Sequence, residues 1–334
     1  MYYSVQTSSY KFPTAESPQN LSDSLSRLLP VRSFDNYDAN RSLGKSRHLS
    51  SATKLLCSTA TRLEGLNTEH SEDSGAVSTG IYVAADTINL EDDFEFDMCA
   101  KNIGPDYVSP LKAPNTLANV VGSHLARLYN IQGPNCTIAS GQHSWFQALD
   151  MAQLALQAQT IRRALVGTVE VSSRYHKAFG RNREMALLMG VVPHTSSPVR
   201  FREPLLGRQP RWDTEHLAKV LTSHLAKQGV TRVDAIIQTG DPLNPDRQRD
   251  VEKTFVDSGL SRCLVKGESL FGNGESGSAG LAMLLTDELL SCKGSFAPLT
   301  QDIYGAPTSE TASVLILSLD EALGYSALLL ERTP

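Results

Sequence analysis

The chain lacks most features that identify a function by composition alone. Lys plus Arg number 31 against 36 Asp plus Glu, so a formal charge of −5 leaves no basic excess to neutralise a phosphate backbone. No nucleic-acid partner is expected. Apolar runs such as residues 185–192 fall far short of the ~20 residues that cross a bilayer, which excludes a membrane partner of that kind. The opening MYYSVQTSSYKFP has neither a basic leader nor an apolar core, so it does not read as a secretory signal. The five cysteines (57, 99, 136, 263 and 292) are odd in number, scattered and without a CxxC pair. Reduced thiols in a cytoplasm fit that pattern better than a disulfide frame. His216 and His224 share one helical stretch, but they stand two turns apart with no further ligand in the pattern. Neither a metal nor a cofactor is expected.

What is present is an alternation of strand and helix patterns over 334 residues, enough for one large α/β domain or two fused halves. Strand patterns occupy residues 2–7, 79–85, 136–139, 164–169, 235–238, 264–266, 313–318 and 325–331. Helical spacing covers residues 49–63, with Leu49, Ala52, Leu55, Leu56 and Ala60 along one side. It recurs at 214–228 behind Asp213 as N-cap, at 246–258 and at 278–290. Residues 67–75 read as a polar loop. The acidic stretch 86–97, with Glu91, Asp92, Asp93, Glu95 and Asp97, reads as a solvated loop and a poor docking site for another acidic protein. Between Arg174 and Arg211 the pattern weakens, broken by Pro193, Pro198, Pro204 and Pro210.

The most informative stretch is residues 116–170. A polar-capped helix leads to a Gly133-Pro134 turn, a short strand, a sharp Ser140-Gly141 corner and a long apolar helix. A strand that turns abruptly into a helix is how many enzymes expose a nucleophile beside backbone N–H groups and the positive helix end. The residue at this corner is Gln142, whose amide is no nucleophile. Read alone, Gln142 would be a side chain that caps the helix start. His143 next to it reads as packing or capping, and Cys136 as a small buried residue.

Asn119, Gly133-Pro134, Thr137, Gly167 and Glu170 fall in register with a longer pattern. That pattern is N-x-x-x-x-x-[ILV], an R-G-P turn, T-x-x-x-A-C and G-G-x-E, and through it the chain resembles the β-ketoacyl synthases of the thiolase-like fold. The resemblance implies an α/β layered fold of two similar βαβ halves in five layers, α-β-α-β-α. It implies one domain over residues 1–334, with an N-terminal half of about 1–190 and a C-terminal half of about 191–334. It puts Gln142 at the position of the acyl-accepting cysteine. Thr239 and Phe271 stand where the family has its histidines, while Lys266 matches the family lysine, with Gly274 and Gly277 in register. The C-terminal Gly-rich loop of the family reads Asp320-Glu321-Ala322-Leu323-Gly324-Tyr325 here. Neither Thr239 nor Phe271 can act as a base near neutral pH, and Gln142 cannot hold a thioester. No catalytic set is intact.

Glutamine at this corner resembles the chain-length-factor subunits of type II polyketide synthases. The resemblance then implies a heterodimer with an active β-ketoacyl synthase, an acyl carrier protein as further partner, and a role in shaping the cavity for a growing polyketide or polyene. Tyr107, Val108, Leu111, Leu117 and Val121 are the implied tunnel-wall candidates; Leu117 and Val121 equally suit the chain's own core. The strand with Cys136, Thr137 and Ile138 is implied to lie near the two-fold interface. A malonyl-carrier decarboxylase using Gln142 and a non-catalytic scaffold are the alternatives. The Gly272-Asn273-Gly274-Glu275-Ser276-Gly277 run fits GxGxxG, but too little chain follows it for the βαβ unit a dinucleotide site needs.

Overall fold

Continuous apolar runs, not alternating ones, build most strands here, which places them in sheets covered on both faces. The computed structural model describes residues 1–11, 48–61, 63, 79–178, 184–271, 276–298 and 303–333. The described residues fall into two compact units: those within 6–11 and 48–192 form the first, and those within 1–5 and 193–333 the second. The stretch 67–75 and the glycine-rich residues 272–275 lie outside the described residues.

In the first unit, β1 (Tyr3–Lys11) contributes its later residues. Helix α1 (Ser51–Ala60) starts where Ser50 Oγ accepts the Thr53 N–H at 3.1 Å, the usual N-cap bond. Then come β2 (Thr79–Ala84), α2 (Leu90–Asn102), α3 (Val120–Leu128), β3 (Asn135–Ile138), α4 (Ser144–Gln157), β4 (Arg163–Glu170), α5 (Arg174–Ala178) and β5 (Met185–Pro193). Strands β3, β2 and β4 run parallel in that order, and β5 pairs antiparallel with β4. Ala52, Leu55 and Leu56 of α1 and Val121 and Leu125 of α3 bury themselves with Ile81, Val83, Leu165 and Leu188 of the strands. Helix α4 packs on β2, β3 and β4 with Trp145, Phe146 and Leu149, all fully buried. Each such side chain contributes about 1.5–3 kcal/mol.

The acidic stretch is not a loop: residues 90–102 form α2. Its first turn carries Glu91, Asp92 and Asp93 at the positive helix end, and Lys101 near its other end pairs with Asp97 at 2.6 Å. None of its residues is buried, so no apolar stripe announces it.

The second unit holds β6 (Val199–Phe201), β7 (Leu205–Arg208), α6 (Thr214–Lys227), β8 (Val233–Gly240), α7 (Pro245–Asp257), β9 (Ser261–Lys266), α8 (Gly267–Phe271), α9 (Ser276–Ser291), β10 (Ile303–Gly305), β11 (Ser313–Leu319) and β12 (Gly324–Arg332). Asp213 caps α6 as expected, its carboxylate accepting the His216 N–H at 2.8 Å. Strands β9, β8 and β11 are parallel, β12 joins β11 antiparallel, and β10 covers the outer edge of β9. Both β6 and β7 pair with β12, and Tyr3 of β1 pairs with Phe201. Leu217, Leu221 and Leu225 of α6 and Val251 and Phe255 of α7 pack with Ile236, Leu264, Leu315 and Leu317. Helix α9 buries thirteen of its sixteen residues. Among the described residues no helix is long and apolar enough to cross a membrane.

The weak stretch between Arg174 and Arg211 therefore holds three strands the sequence pattern did not reveal. Its prolines punctuate rather than break: Pro193 ends β5, while Pro198 and Pro204 directly precede β6 and β7. Proline is tolerated at strand ends, where it removes no ladder bond.

Candidate functional site

Strand β3 delivers the chain to the corner at Ser140-Gly141, and Gly141 has φ +62° there. A side chain at 141 would meet nothing closer than Asp86 Oδ2 at 3.8 Å, so backbone conformation, not space, favours glycine. The turn is locked by serines. Ser144 Oγ accepts the Ser140 N–H at 2.8 Å and donates to the Gly141 carbonyl at 2.7 Å, while Ser140 Oγ donates to Gln147 Oε1 at 2.8 Å. Gln142 then sits in a single 3-10 turn ahead of α4, only 5 % exposed. Neither its amide nitrogen nor its amide oxygen has a hydrogen-bond partner. It caps nothing, contrary to the simple reading. Leaving such an amide buried and unpaired costs about 1–3 kcal/mol. His143, at the N-cap position of α4, makes no side-chain capping bond either.

Thr239, Lys266 and Phe271 belong to the second unit, where the parallel strands β8 and β9 end. Gln238 and Lys266 are register partners, which puts Thr239 beside the lysine's strand. Thr239 is buried, and its hydroxyl donates only a long 3.4 Å bond to the Leu317 carbonyl. Phe271 closes α8 and is fully buried. Gly267 between them is forced: a Cβ there would lie 2.4 Å from the Gln238 carbonyl oxygen. Lys266 does not project freely. Its Nζ lies 2.8 Å from Glu252 Oε1 on α7, and Gln248 donates to the same carboxylate at 2.9 Å while bonding Gln238 at 2.8 Å. The sequence reading missed this network; Gln248 and Glu252 one turn apart on a polar helix were the available signal. Gly274 of the expected glycine register lies outside the described residues.

A tight turn at Asp320-Gly324 joins β11 to β12. Asp320 Oδ1 accepts the Gly324 N–H at 2.7 Å, and Leu323 takes φ +71°, a conformation that suits glycine better. Arg247 reaches over from α7 to pair with Glu321 at 2.5 Å, its guanidinium 4.7 Å from the Trp212 ring. The loop is braced.

The tunnel-wall candidates divide. Tyr107, Leu111 and Leu117 are exposed at 71, 61 and 57 %, Val108 is half-buried, and Val121 is fully buried among α1, α3 and the strands. Burial of Val121 in its own core leaves it no partner to meet. Cys136 is half-exposed rather than buried, with its Sγ 3.8 Å from Met151 Sδ. Thr137 and Ile138 are half-buried. Strand β3 stands at the edge of its sheet and faces no further strand among the described residues. Beside it, α4 exposes Met151 and Leu154 at 41 and 57 %. Two other thiols are chemically muted: burial pushes Cys57 up to about 12 and Cys263 up to about 11. His216 is exposed, and the half-buried His224 takes a 2.9 Å bond from Gln228. No cluster of three potential metal ligands occurs among the described residues.

These features define a thiolase-like, ketosynthase-type layered fold. The family model for the beta-ketoacyl synthase N-terminal domain matches residues 11–190, so the chain belongs to the β-ketoacyl synthase family. No curated protein matches its sequence. Among solved structures it is similar over its full length to the ishigamide ketosynthase/chain length factor, with 16 % identity, full coverage of both chains and a TM-score of 0.73. It is similar to AntDE:AntF, a type II PKS acyl-carrier protein in complex with its ketosynthase bound to the hexaketide, at 13 % identity, 99 % coverage of each chain and a TM-score of 0.76. The ketosynthase ApeO in complex with its chain length factor ApeC, from Xenorhabdus doucetiae, matches at 14 % identity over 86 % of this chain and 83 % of that one, with a TM-score of 0.68.

Proposed function

We propose that this chain is a catalytically degenerate β-ketoacyl synthase homologue of the chain-length-factor type. In this reading it pairs with an active ketosynthase and shapes the cavity in which a polyketide or polyene grows on an acyl carrier protein. The observation that carries the reading is Gln142, a buried amide at the strand-to-helix corner, which the resemblance matches to the family's acyl-accepting thiol. An amide cannot form the thioester, and neither Thr239 nor Phe271 offers an imidazole for decarboxylation. The condensing chemistry then belongs to the partner.

The open edge of β3, with Met151 and Leu154 beside it, supports a large protein partner. Exposed Tyr107, Leu111 and Leu117 supply bulky side chains for a partner's cavity wall. Five free cysteines agree with a reducing, cytoplasmic setting.

Co-expression with an intact ketosynthase, followed by size-exclusion chromatography, tests the pairing; a one-to-one complex is expected. Tyr107→Ala or Leu111→Ala in that complex should lengthen the products while turnover holds. Unchanged product length in every such variant would remove the cavity-shaping role. The unpaired Gln142 amide also suits a second reading, in which its N–H holds a thioester carbonyl while malonyl carrier loses CO2. Release of CO2 from malonyl carrier by the wild type but not by Gln142→Ala would favour that reading over the first.

A further inference from the structure

Ser173 and His176 have no part in the proposed function, yet they stand where parallel strands β2 and β4 of the first unit end. Strand β4 finishes at Glu170 with Ser173 just beyond it, and β2 finishes at Ala84 with Thr87 just beyond. The carboxyl end of a parallel sheet is where such folds gather their ligand-binding groups. His176 is 1 % exposed, and both of its ring nitrogens are engaged. Nε2 lies 2.6 Å from the Thr87 carbonyl oxygen, and Nδ1 lies 2.7 Å from Ser173 Oγ. A carbonyl oxygen only accepts, so Nε2 carries the hydrogen. In the neutral ring Nδ1 is then the acceptor, and the Ser173 hydroxyl donates to it.

Ser173 Oγ also accepts the backbone N–H of Tyr175 at 3.2 Å and of His176 at 3.4 Å. Donors of this kind favour the charged oxygen over the neutral hydroxyl. Ser173 is itself half-exposed. A helix-capping serine accounts for the two N–H bonds. It does not account for a wholly buried imidazole aimed at the hydroxyl of a half-buried serine and fixed from behind by a main-chain carbonyl.

We propose that Ser173 is a nucleophile for acyl transfer from esters or thioesters to water, with His176 as its base and the Thr87 carbonyl orienting the imidazole. The arrangement has the order nucleophile, base, orienting acceptor. Ser173 Oγ gives up its long 3.4 Å bond from the His176 N–H and attacks the acyl carbon with the electron pair so freed as its proton passes to His176 Nδ1, and that proton leaves with the departing alcohol or thiol. Water, deprotonated by the same nitrogen, then cleaves the Ser173 ester to the carboxylic acid and restores the hydroxyl. Beside it Phe94 and Tyr175 stack at 4.9 Å, their rings 6° from parallel, with the Arg174 guanidinium 4.7 Å from the Tyr175 ring. That platform suits an acyl group with an apolar arm. The proposal stands whether or not the chain pairs with a ketosynthase.

A fluorophosphonate probe is the direct test, since it phosphonylates an activated serine as fluoride leaves. The folded wild-type chain should gain one adduct, mapped to Ser173 by peptide mass spectrometry, and should hydrolyse p-nitrophenyl acetate. Asparagine caps a helix as well as serine does, so Ser173→Asn should keep the fold while losing both signals. Ser172→Ala should keep them, and His176→Gln should slow labelling by about a hundredfold. An unlabelled Ser173 in the folded wild type, an adduct only at another residue, or labelling that His176→Gln leaves unchanged would each overturn the proposal.

Discussion

In the first unit the order β3-β2-β4-β5 sets three parallel strands beside an antiparallel one, and β9-β8-β11-β12 repeats that order in the second. Each unit also sends a long helix back from its outer parallel strand, α4 after β3 and α9 after β9. The finish differs. Strand β9 is flanked by β10, whereas β3 has no outer neighbour among the described residues. Helix α9 buries thirteen of sixteen residues, while α4 leaves Met151 and Leu154 in solvent. Two units built on one plan thus differ at this edge, which the first leaves open among the described residues, as the proposed docking surface requires.

The comparison breaks if equivalent insults to the two edges cost the same. Cys136 on β3 and Cys263 on β9 are the natural pair. Cys263→Asp buries a charge without a partner and should cost about 3–5 kcal/mol, enough to unfold a marginal domain. Cys136→Asp, half in solvent, should cost less than about 1 kcal/mol yet abolish the proposed ketosynthase pairing. Urea titration and size-exclusion chromatography read the two effects separately. The helices give the next largest contrast. Leu285→Ala on α9 empties a buried position and should cost about 2–5 kcal/mol, against less than about 0.5 kcal/mol for Leu154→Ala on α4. Equal losses in urea would mean that α4 is covered in the isolated chain.

The smallest effect is a pH dependence. The Cys57 thiol moves from an ordinary 9.0 to about 12 on folding because burial penalises the thiolate. Between those values the unfolded chain has released the proton and the folded chain has not, so stability falls as pH rises above about 9. At pH 10 the cost from Cys57 is about 1 kcal/mol. Cys57→Ala should remove that share of the slope between pH 8 and pH 10 in denaturant titrations. A slope identical to the wild type would show that the thiol ionises freely in the fold.

Much of this layout was legible because buried helices and strands write themselves in apolar spacing. The α1 stripe, the Asp213 cap and the apolar run of α4 are examples. Helix α2 was not legible, since it buries no residue; its contacts include the Phe94–Tyr175 stack and the exposed Asp97–Lys101 pair. Strand β5 hid for the opposite reason: covered on both faces, it reads only as an apolar run. The corner at Gln142 could be located from Gly141 and its neighbours. That its amide would be left unpaired could not, because hydrogen-bond satisfaction is decided by side chains distant in sequence.

Strand β3 is only four residues long, roughly 13 Å of edge. A stretch that short exposes about two N–H and two C=O groups outward, too few to recruit arbitrary strands or to propagate a stack of copies. Whatever chain docks there must draw most of its affinity from the side chains around the strand. In the proposed pairing, brevity of the edge would act as a filter, admitting a matched surface and leaving the exposed backbone little adhesiveness of its own.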